Sequence, residues 1–233
     1  MDLGLERAGM RCAWQVEIDP YCQRVLAKHW PDVRRWDDVR NFPPAGDWAC
    51  DLIAGGFPCQ DISTANPRRS GIGGSRSGLW EEFKRVICTL GPRVVIVENV
   101  PNLAFLGLDQ VLGDLSNFGF DAEWASLSAS FFGAPQSRRR LFVIAYPMCE
   151  RWPVLLRGEP GAFGEAAPWG EWKSRPFDSP CGVLQAVEES LGEPSVLGSS
   201  DGIRSAVDRL RVTGNAVVPQ VAEWIGKRIM EHR

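Results

Sequence analysis

The 233-residue sequence lacks any long hydrophobic run, and its amino terminus lacks the basic, apolar and small-residue segments of a secretory signal. A membrane-spanning helix needs about 20 consecutive apolar residues, and no stretch approaches that length. The chain also lacks a basic excess, because 26 Lys and Arg stand against 29 Asp and Glu. We therefore expect a soluble, cytoplasmic protein with no membrane partner, in which a polyanion would bind only at a local basic cleft.

Histidine is scarce, and the cysteines lack the spacing of a metal site. The only histidines are His29 and His232, and neither is evidently placed as a base for a cysteine, although distance in sequence leaves His29 open. The seven cysteines are irregularly spaced without a C-x-x-C pair. This argues against structural zinc and disulfides. We expect no metal, and most cysteines to be reduced, buried and inert.

Short apolar runs alternate with amphipathic helical patterns up to residue 146. The runs predict strands at 12–18, 50–56, 93–100 and 139–146, with 121–129 as one more strand, antiparallel to the last. Helices are predicted at 19–30, 78–90, 108–119 and 217–233. This alternation indicates an α/β fold with a doubly wound parallel sheet, covered by helices on both faces.

The character of the chain changes after Pro147. Prolines and glycines are frequent there and periodicity is lost, which favours a small lobe, a long functional loop or a partly disordered segment. We therefore divide the chain into a core at 1–146, an irregular region at 147–204 and a closing segment at 205–233.

Two motifs place acidic residues at the ends of predicted strands. In "QVEIDPY" (15–21), Glu17 can accept the hydroxyls of a ribose, while Asp19 before Pro20 suits a helix N-cap; we assign both roles. In "ENV" (98–100), Glu98 follows the apolar "VVIV", so burial should raise its pKa and suit it to proton donation to a ring nitrogen. Alternatively, Glu98 pairs with an arginine and merely closes the strand.

Two further motifs carry a thiol and three arginines. In "GGFPC" (55–59), Pro58 stiffens the turn before Cys59, which is either a small core residue or a nucleophile. In "QSRRRLF" (136–142), Arg138 and Arg140 share one face of a predicted strand. Their guanidinium groups match a phosphate or a ring carbonyl, but a solvated charge run is the commoner explanation.

Together, "GGFPCQDIS", "ENV", "QSRRRLF" and "GNAVVPQVAEWI" resemble, in order and separation, the cytosine-5 DNA methyltransferase family. The resemblance covers 1–146 and about 205 to the end. It implies a Rossmann-like, S-adenosylmethionine-dependent fold with a small target-recognition lobe at 147–204. It also implies a monomer acting on double-stranded DNA, of the restriction-modification or mobile-element type, for which a cognate restriction endonuclease encoded nearby is a further partner.

The resemblance assigns catalytic roles. Cys59 matches the nucleophile that adds to C6 of a flipped cytosine, and Glu98 matches the carboxyl that engages N3 and the exocyclic amine. Arg140 matches the arginine near the cytosine carbonyl, with Arg138 beside it as a support or phosphate contact. For the cofactor, the matching residues are Glu17 on the ribose, Ile18 on the adenine, Asp38 (or Asp37) near the adenine amine, and Pro58, Leu79, Asn215 and Ala216 along the rest of the pocket.

The chain departs from the family at its start. The family opens with a strand and a glycine-rich F-x-G-x-G-G turn, whereas "MDLGLERAG" resembles the segment just after that turn. We expect a late recorded start, with a partial chain or a decayed copy as alternatives. The alternative functions are an inactive descendant that binds DNA without methylating it, and the same chemistry on transfer RNA.

Overall fold

The computed structural model describes residues 1–58, 78–134, 138–150, 152–156 and 216–232. The strands are β1 (Trp14–Val16), β2 (Arg34–Trp36), β3 (Leu52–Gly56), β4 (Val94–Asn99), β5 (Phe120–Ser128) and β6 (Arg139–Pro147). The helices are α1 (Asp2–Arg7), α2 (Pro20–His29), α3 (Leu79–Leu90), α4 (Leu103–Leu106), α5 (Leu108–Asn117) and α6 (Pro219–Met230). Two short 3₁₀ helices lie at Gly46–Trp48 and Ala129–Phe132.

The described strands form two sheets. β1 and β2 make a parallel pair, and the second sheet has the order β3-β4-β6-β5. β3 and β4 are parallel, whereas β6 is antiparallel to both β4 and β5. The prediction of one more strand at 121–129, antiparallel to the last, is confirmed by β5 and β6. The antiparallel pairing of β6 with β4 is an addition to the predicted parallel sheet.

Alternate side chains of β4 build two hydrophobic cores. Val95 and Val97 pack on the face covered by α3 and α5, while Val94 and Ile96 pack on the face covered by α1 and α6. Each of these four residues is at most 4% exposed. A strand buried on both faces reads as a continuous apolar run, which explains "VVIV". The expectation of helices on both faces is confirmed.

Helices α1 and α6 pack closely because glycines lie at their contact. A Cβ atom at Gly4 would collide with the carbonyl oxygen of Pro219, and one at Gly226 would lie 2.7 Å from the Cβ of Ala8. Residues near the start of the chain are thereby fixed against its last described helix.

Several boundaries differ from the predictions. The predicted strand at 12–18 is only Trp14–Val16, and the predicted helix at 217–233 begins at Pro219. β2 and α1 were not predicted: β2 has three residues, two of them arginines, and α1 has six residues, less than two helical turns. The five described cysteines are free, as predicted, but Cys88 and Cys149 are exposed rather than buried. None of the described helices is long and apolar enough to cross a membrane.

Candidate active site

Glu98 lies at the carboxyl end of β4, directly opposite Gly56 at the end of β3. A Cβ atom at Gly56 would be 2.8 Å from Glu98 Oε2 and 2.9 Å from the Glu98 carbonyl oxygen. Real Cβ atoms do not approach that closely, so the carboxylate occupies space that only glycine leaves open. Gly56 was not among the predicted site residues, because a glycine at a strand end reads in sequence as part of a turn.

Two arginines surround the Glu98 carboxylate. Arg140 Nε lies 2.9 Å from Glu98 Oε1, and the charge of Arg138 also acts on the carboxylate. Burial raises the pKa of Glu98 above its ordinary value, although the two arginines pull that pKa down. Burial and the neighbouring Arg140 lower the pKa of Arg138. The raised pKa and the arginine pairing, posed as alternatives from the sequence, therefore occur together.

Asn99 connects the end of β4 to the segment that follows β3. Its Nδ2 donates to the Phe57 carbonyl at 3.2 Å, and its Oδ1 accepts from the Val100 amide at 2.8 Å. Asn99 is 3% exposed, so both bonds are shielded from water. They fix Phe57, and the exposed Pro58 follows it in the chain. The predicted nucleophile Cys59 is the next residue and lies outside the described residues.

The segment after β1 presents an acid and an apolar side chain. Glu17 Oε1 accepts from the Asp19 amide at 2.8 Å, and the Glu17 carbonyl accepts from Gln23 Nε2 at 2.6 Å. Ile18 is 61% exposed, which is unusual for an isoleucine. Asp19 caps α2 as predicted, since its Oδ1 accepts from the amides of residues 21 and 22, and Pro20 opens the helix.

Asp38 follows β2 but is already engaged. Arg40 binds it through Nε at 3.0 Å to both carboxylate oxygens and through Nη2 at 2.6 Å to Oδ2. These hydrogen bonds hold the pKa of Asp38 below its ordinary value. The alternative, Asp37, is exposed. A ligand at Asp38 would therefore have to displace Arg40 or bind beside it.

The remaining predicted residues are more scattered. Leu79 is the first residue of α3 and packs against the core cluster on that face. Ala216 is exposed just before α6, while Asn215 and almost all of 147–204 lie outside the described residues. Among the residues described, no three His, Cys, Asp or Glu side chains lie together as a metal site. Of the predicted residues, the structure thus brings Glu98, Arg138 and Arg140 together.

A family model described as C-5 cytosine-specific DNA methylase matches residues 1–158, well over half of the chain. The chain belongs to this family. The resemblance drawn from the four motifs is therefore confirmed, although the matched range does not extend to the closing segment.

Named relatives of this family are methyltransferases of the Type II class. Type II methyltransferase M2.BsuMI of Bacillus subtilis is 35% identical over 156 residues, covering 62% of this chain and 39% of the relative. Type II methyltransferase M.NgoFVII of Neisseria gonorrhoeae is 29% identical over 225 residues, covering 92% of this chain and 58% of the relative. The chain thus spans roughly two fifths to three fifths of the length of these two relatives.

Solved structures show the same fold. The crystal structure of S. pombe Dnmt2 methyltransferase matches with a TM-score of 0.68 and 14% identity, covering 99% of this chain and 94% of the other. A putative DNA modification methyltransferase encoded within an E. coli prophage matches with a TM-score of 0.52 and 28% identity, covering 62% of this chain and 42% of the other. The predicted α/β, Rossmann-like methyltransferase fold is confirmed.

Proposed function

We propose that this chain carries the catalytic core of an enzyme that methylates C5 of cytosine in double-stranded DNA. The observation that carries the proposal is the Glu98 carboxyl, buried with a raised pKa between Arg138 and Arg140, beside the strand that leads to Cys59. The names of the Type II relatives support DNA as the substrate.

The chemistry explains why these groups belong together. Carbon C5 of cytosine is a weak nucleophile, and addition of the Cys59 thiolate to C6 makes it a strong one. The ring nitrogen N3 gains electron density as the sulfur–carbon bond forms. A carboxyl with a raised pKa retains its proton closer to neutral pH, so Glu98 can donate that proton to N3. The target base must leave the duplex to reach these groups.

The arginines hold both partners of this proton transfer. Arg140 Nε lies 2.9 Å from Glu98 Oε1 and holds the carboxyl in place at the end of β4. The Arg140 guanidinium, whose Nη1 also donates to the Arg139 carbonyl at 3.0 Å, is suited to the cytosine carbonyl oxygen, and Arg138 supports the same charge or contacts a phosphate. When C5 has been methylated, loss of the C5 proton and release of the Cys59 sulfur restore the ring double bond.

The residues after β1 fit S-adenosylmethionine, which supplies an electrophilic methyl group when bound. A carboxylate accepts about four hydrogen bonds, so Glu17 can accept ribose hydroxyls in addition to the Asp19 amide. The exposed Ile18 offers an apolar surface to an adenine ring. Asp38 fits less well, because Arg40 holds both of its oxygens. We assign Pro58, Leu79, Asn215 and Ala216 to the rest of the cofactor pocket.

We further propose that residues 147–204 read the DNA sequence and that the protein works as a cytoplasmic monomer. Arginine, lysine and aromatic side chains are interspersed in this region, as contacts to bases and phosphates require. The Type II relatives support a role in restriction and modification, with a cognate endonuclease as partner.

The test is methyl transfer from labelled S-adenosylmethionine to mixed-sequence duplex DNA, followed by mapping of 5-methylcytosine. It is run on this chain and on one extended upstream in its reading frame. We expect Cys59→Ala to abolish transfer while DNA binding survives. Cys88→Ala is the matched control, because Cys88 is an exposed thiol on α3, and it should keep full activity. Undiminished transfer by Cys59→Ala would end the proposed mechanism.

Two other results would change the proposal in different ways. Transfer to transfer RNA but not to duplex DNA would replace the substrate and keep the chemistry. Absence of transfer by both chains, together with absence of S-adenosylmethionine binding in calorimetry, would favour the inactive DNA-binding descendant.

A further inference from the structure

Glu123 is a charged residue at a core-facing position of the edge strand β5. Alternate residues of a strand share one face, so Glu123 lies on the same face as Ala125 and Leu127, which contribute to the core beneath α1 and α6. Its cross-strand neighbour on β6 is Ile144, which is fully buried. A carboxylate at such a position needs hydrogen-bond donors from the protein, because burial removes much of its water.

The Glu123 carboxylate binds two consecutive backbone amides. Its Oε1 accepts from the Leu155 amide at 2.6 Å, and its Oε2 accepts from the Leu156 amide at 3.0 Å. Consecutive amides of an extended chain point in opposite directions, so the chain has to turn for both amides to reach one carboxylate. Hydrogen bonds to a charged acceptor are stronger than those between neutral groups. Glu123 thereby fixes the conformation of a turn that is 32 residues away in sequence.

We call residues 152–156 the anchored segment, because a second set of contacts holds its other end. Trp152 stacks on Tyr146 of β6, with ring centroids 5.3 Å apart and ring planes 8° from parallel. Its Nε1 donates to Glu150 Oε2 at 2.8 Å. Leu155 is 2% exposed and belongs to the same core cluster as Tyr146. The anchored segment is therefore attached to the sheet at both of its ends.

The position of Glu123 separates it from the catalytic groups. Its neighbour Ile144 lies four residues beyond Arg140 on β6, which corresponds to about 14 Å along the strand. The anchored segment leads directly into the remainder of 147–204, the region assigned above to DNA reading. We propose that Glu123 is a positioning residue for DNA recognition, which fixes the turn from which the recognition region departs. This inference rests on the proposed function.

A turn that is fixed in advance lowers the cost of binding DNA. A segment that is ordered in the free protein needs no further ordering when DNA binds, whereas a released segment is ordered at the expense of affinity. Ordering two residues costs enough free energy to weaken binding about tenfold. This cost falls on DNA recognition and not on methyl transfer, so loss of the Glu123 contacts should raise KM for DNA and leave kcat unchanged.

The experiment compares two variants of Glu123 with a matched control. Glu123→Ala removes both acceptor oxygens, whereas Glu123→Gln keeps the shape of the side chain and one acceptor oxygen. The control is Asp121→Asn, which neutralises an exposed carboxylate on the same face of β5. Amide hydrogen exchange at Leu155 and Leu156 reports on release of the turn. Fluorescence anisotropy measures binding of mixed-sequence duplex DNA, calorimetry measures binding of S-adenosylmethionine, and labelled methyl transfer gives kcat and KM.

We expect Glu123→Ala to speed exchange at the Leu155 and Leu156 amides and to weaken DNA binding, each by about tenfold. The variant should keep kcat and S-adenosylmethionine binding within about twofold of the wild type. Glu123→Gln should shift exchange and DNA affinity in the same direction by a smaller factor. Asp121→Asn should match the wild type in every measurement. If Glu123→Ala does not fold, Glu123→Gln is judged by the same criteria.

Three results for the Glu123 variants would overturn the inference. Unchanged exchange at Leu155 and Leu156 would show that the carboxylate does not hold the turn. Unchanged DNA affinity despite faster exchange would show that the turn does not serve recognition. A joint loss of DNA binding, S-adenosylmethionine binding and kcat would assign Glu123 to the stability of the fold alone. A wild-type protein that neither binds nor methylates duplex DNA, with or without the upstream extension, would instead overturn the proposed function and this inference with it.

Discussion

Replacing Gly56 by alanine tests whether the close approach of β3 to Glu98 is required. The new Cβ would lie 2.8 Å from Glu98 Oε2 and 2.9 Å from the Glu98 carbonyl oxygen. Ordinary contact begins near 3.4 Å, so the carboxylate must move by about 0.6 Å and the paired backbone of β4 by about 0.5 Å. Neither atom moves freely, because Arg140 holds the carboxylate and the carbonyl belongs to a strand buried on both faces.

Overpacking of this kind costs about 1 to 3 kcal/mol of unfolding free energy. For a chain of this size, that loss lowers the melting temperature by about 2 to 12 °C. The matched control is Gly55→Ala in the same strand, where the new Cβ would lie 3.4 Å from Phe83 Cζ, an ordinary contact. Neither glycine has a positive φ, so backbone conformation does not distinguish the two variants.

The assay is urea and thermal unfolding of both variants, followed by methyl transfer if the chain is active. We expect Gly55→Ala to match the wild-type stability within about 1 kcal/mol. Gly56→Ala should be less stable, and a displacement approaching 1 Å at a reacting group lowers the rate by up to about 100-fold. Equal stability and equal activity of the two variants would refute the claim that Glu98 needs the space above Gly56.

Three further predictions concern the same side of the fold. Because the pKa of Glu98 is raised by folding, its contribution to stability is present below the ordinary value of 4.5 and lost as the pH rises through the folded pKa. Wild-type stability relative to Glu98→Gln should therefore fall as urea titrations move upward from pH 4.5, and a rise would contradict the raised pKa. Asn99→Ala should lower the unfolding free energy by about 1 to 3 kcal/mol in the same assay, because it leaves buried groups unpaired. The control Asn117→Ala, at an exposed position, should change it by less than about 0.5 kcal/mol. Similar losses in the two variants would argue against the buried hydrogen bonds of Asn99. Asp19→Ala should lower the unfolding free energy by about 1 kcal/mol, because the cap of α2 is lost. Thermal unfolding compares this variant with Asp32→Ala, which changes an exposed aspartate. Equal stability of the two variants would show that the cap contributes nothing.

The sequence was sufficient for the parts of the fold that carry strong local patterns. The run at 93–100 and the helix at 78–90 were predicted almost to the residue, since an apolar strand and an amphipathic helix each have a clear period. The reversal of β6 against β4 was missed, because strand direction depends on the connection and not on the strand itself.

In the candidate site, too, some residues could be predicted from the sequence and others could not. Glu98 and the arginines were predicted because charged side chains beside apolar strands are conspicuous. The structure pairs Arg140 with Glu98 and brings Arg138 close enough for its charge to act on the same carboxylate. Gly56 and Asn99 were missed, since their importance lies in a close approach and a buried hydrogen bond that exist only after folding. β2 was missed because its three residues have no period to detect.

The contact between α1 and α6 also governs when this protein can finish folding during synthesis. Some 215 residues of chain separate Gly4 from Pro219, and a ribosome adding 5 to 20 residues per second needs about 10 to 45 s to produce them. The strands of the sheet face around Ile96 are complete only at Pro147, and that face then lacks its covering helix for the 72 residues up to Pro219, or about 4 to 14 s of synthesis. This half of the core is therefore completed only after its last helix leaves the ribosome, and the nascent chain presents an apolar surface to chaperones until then.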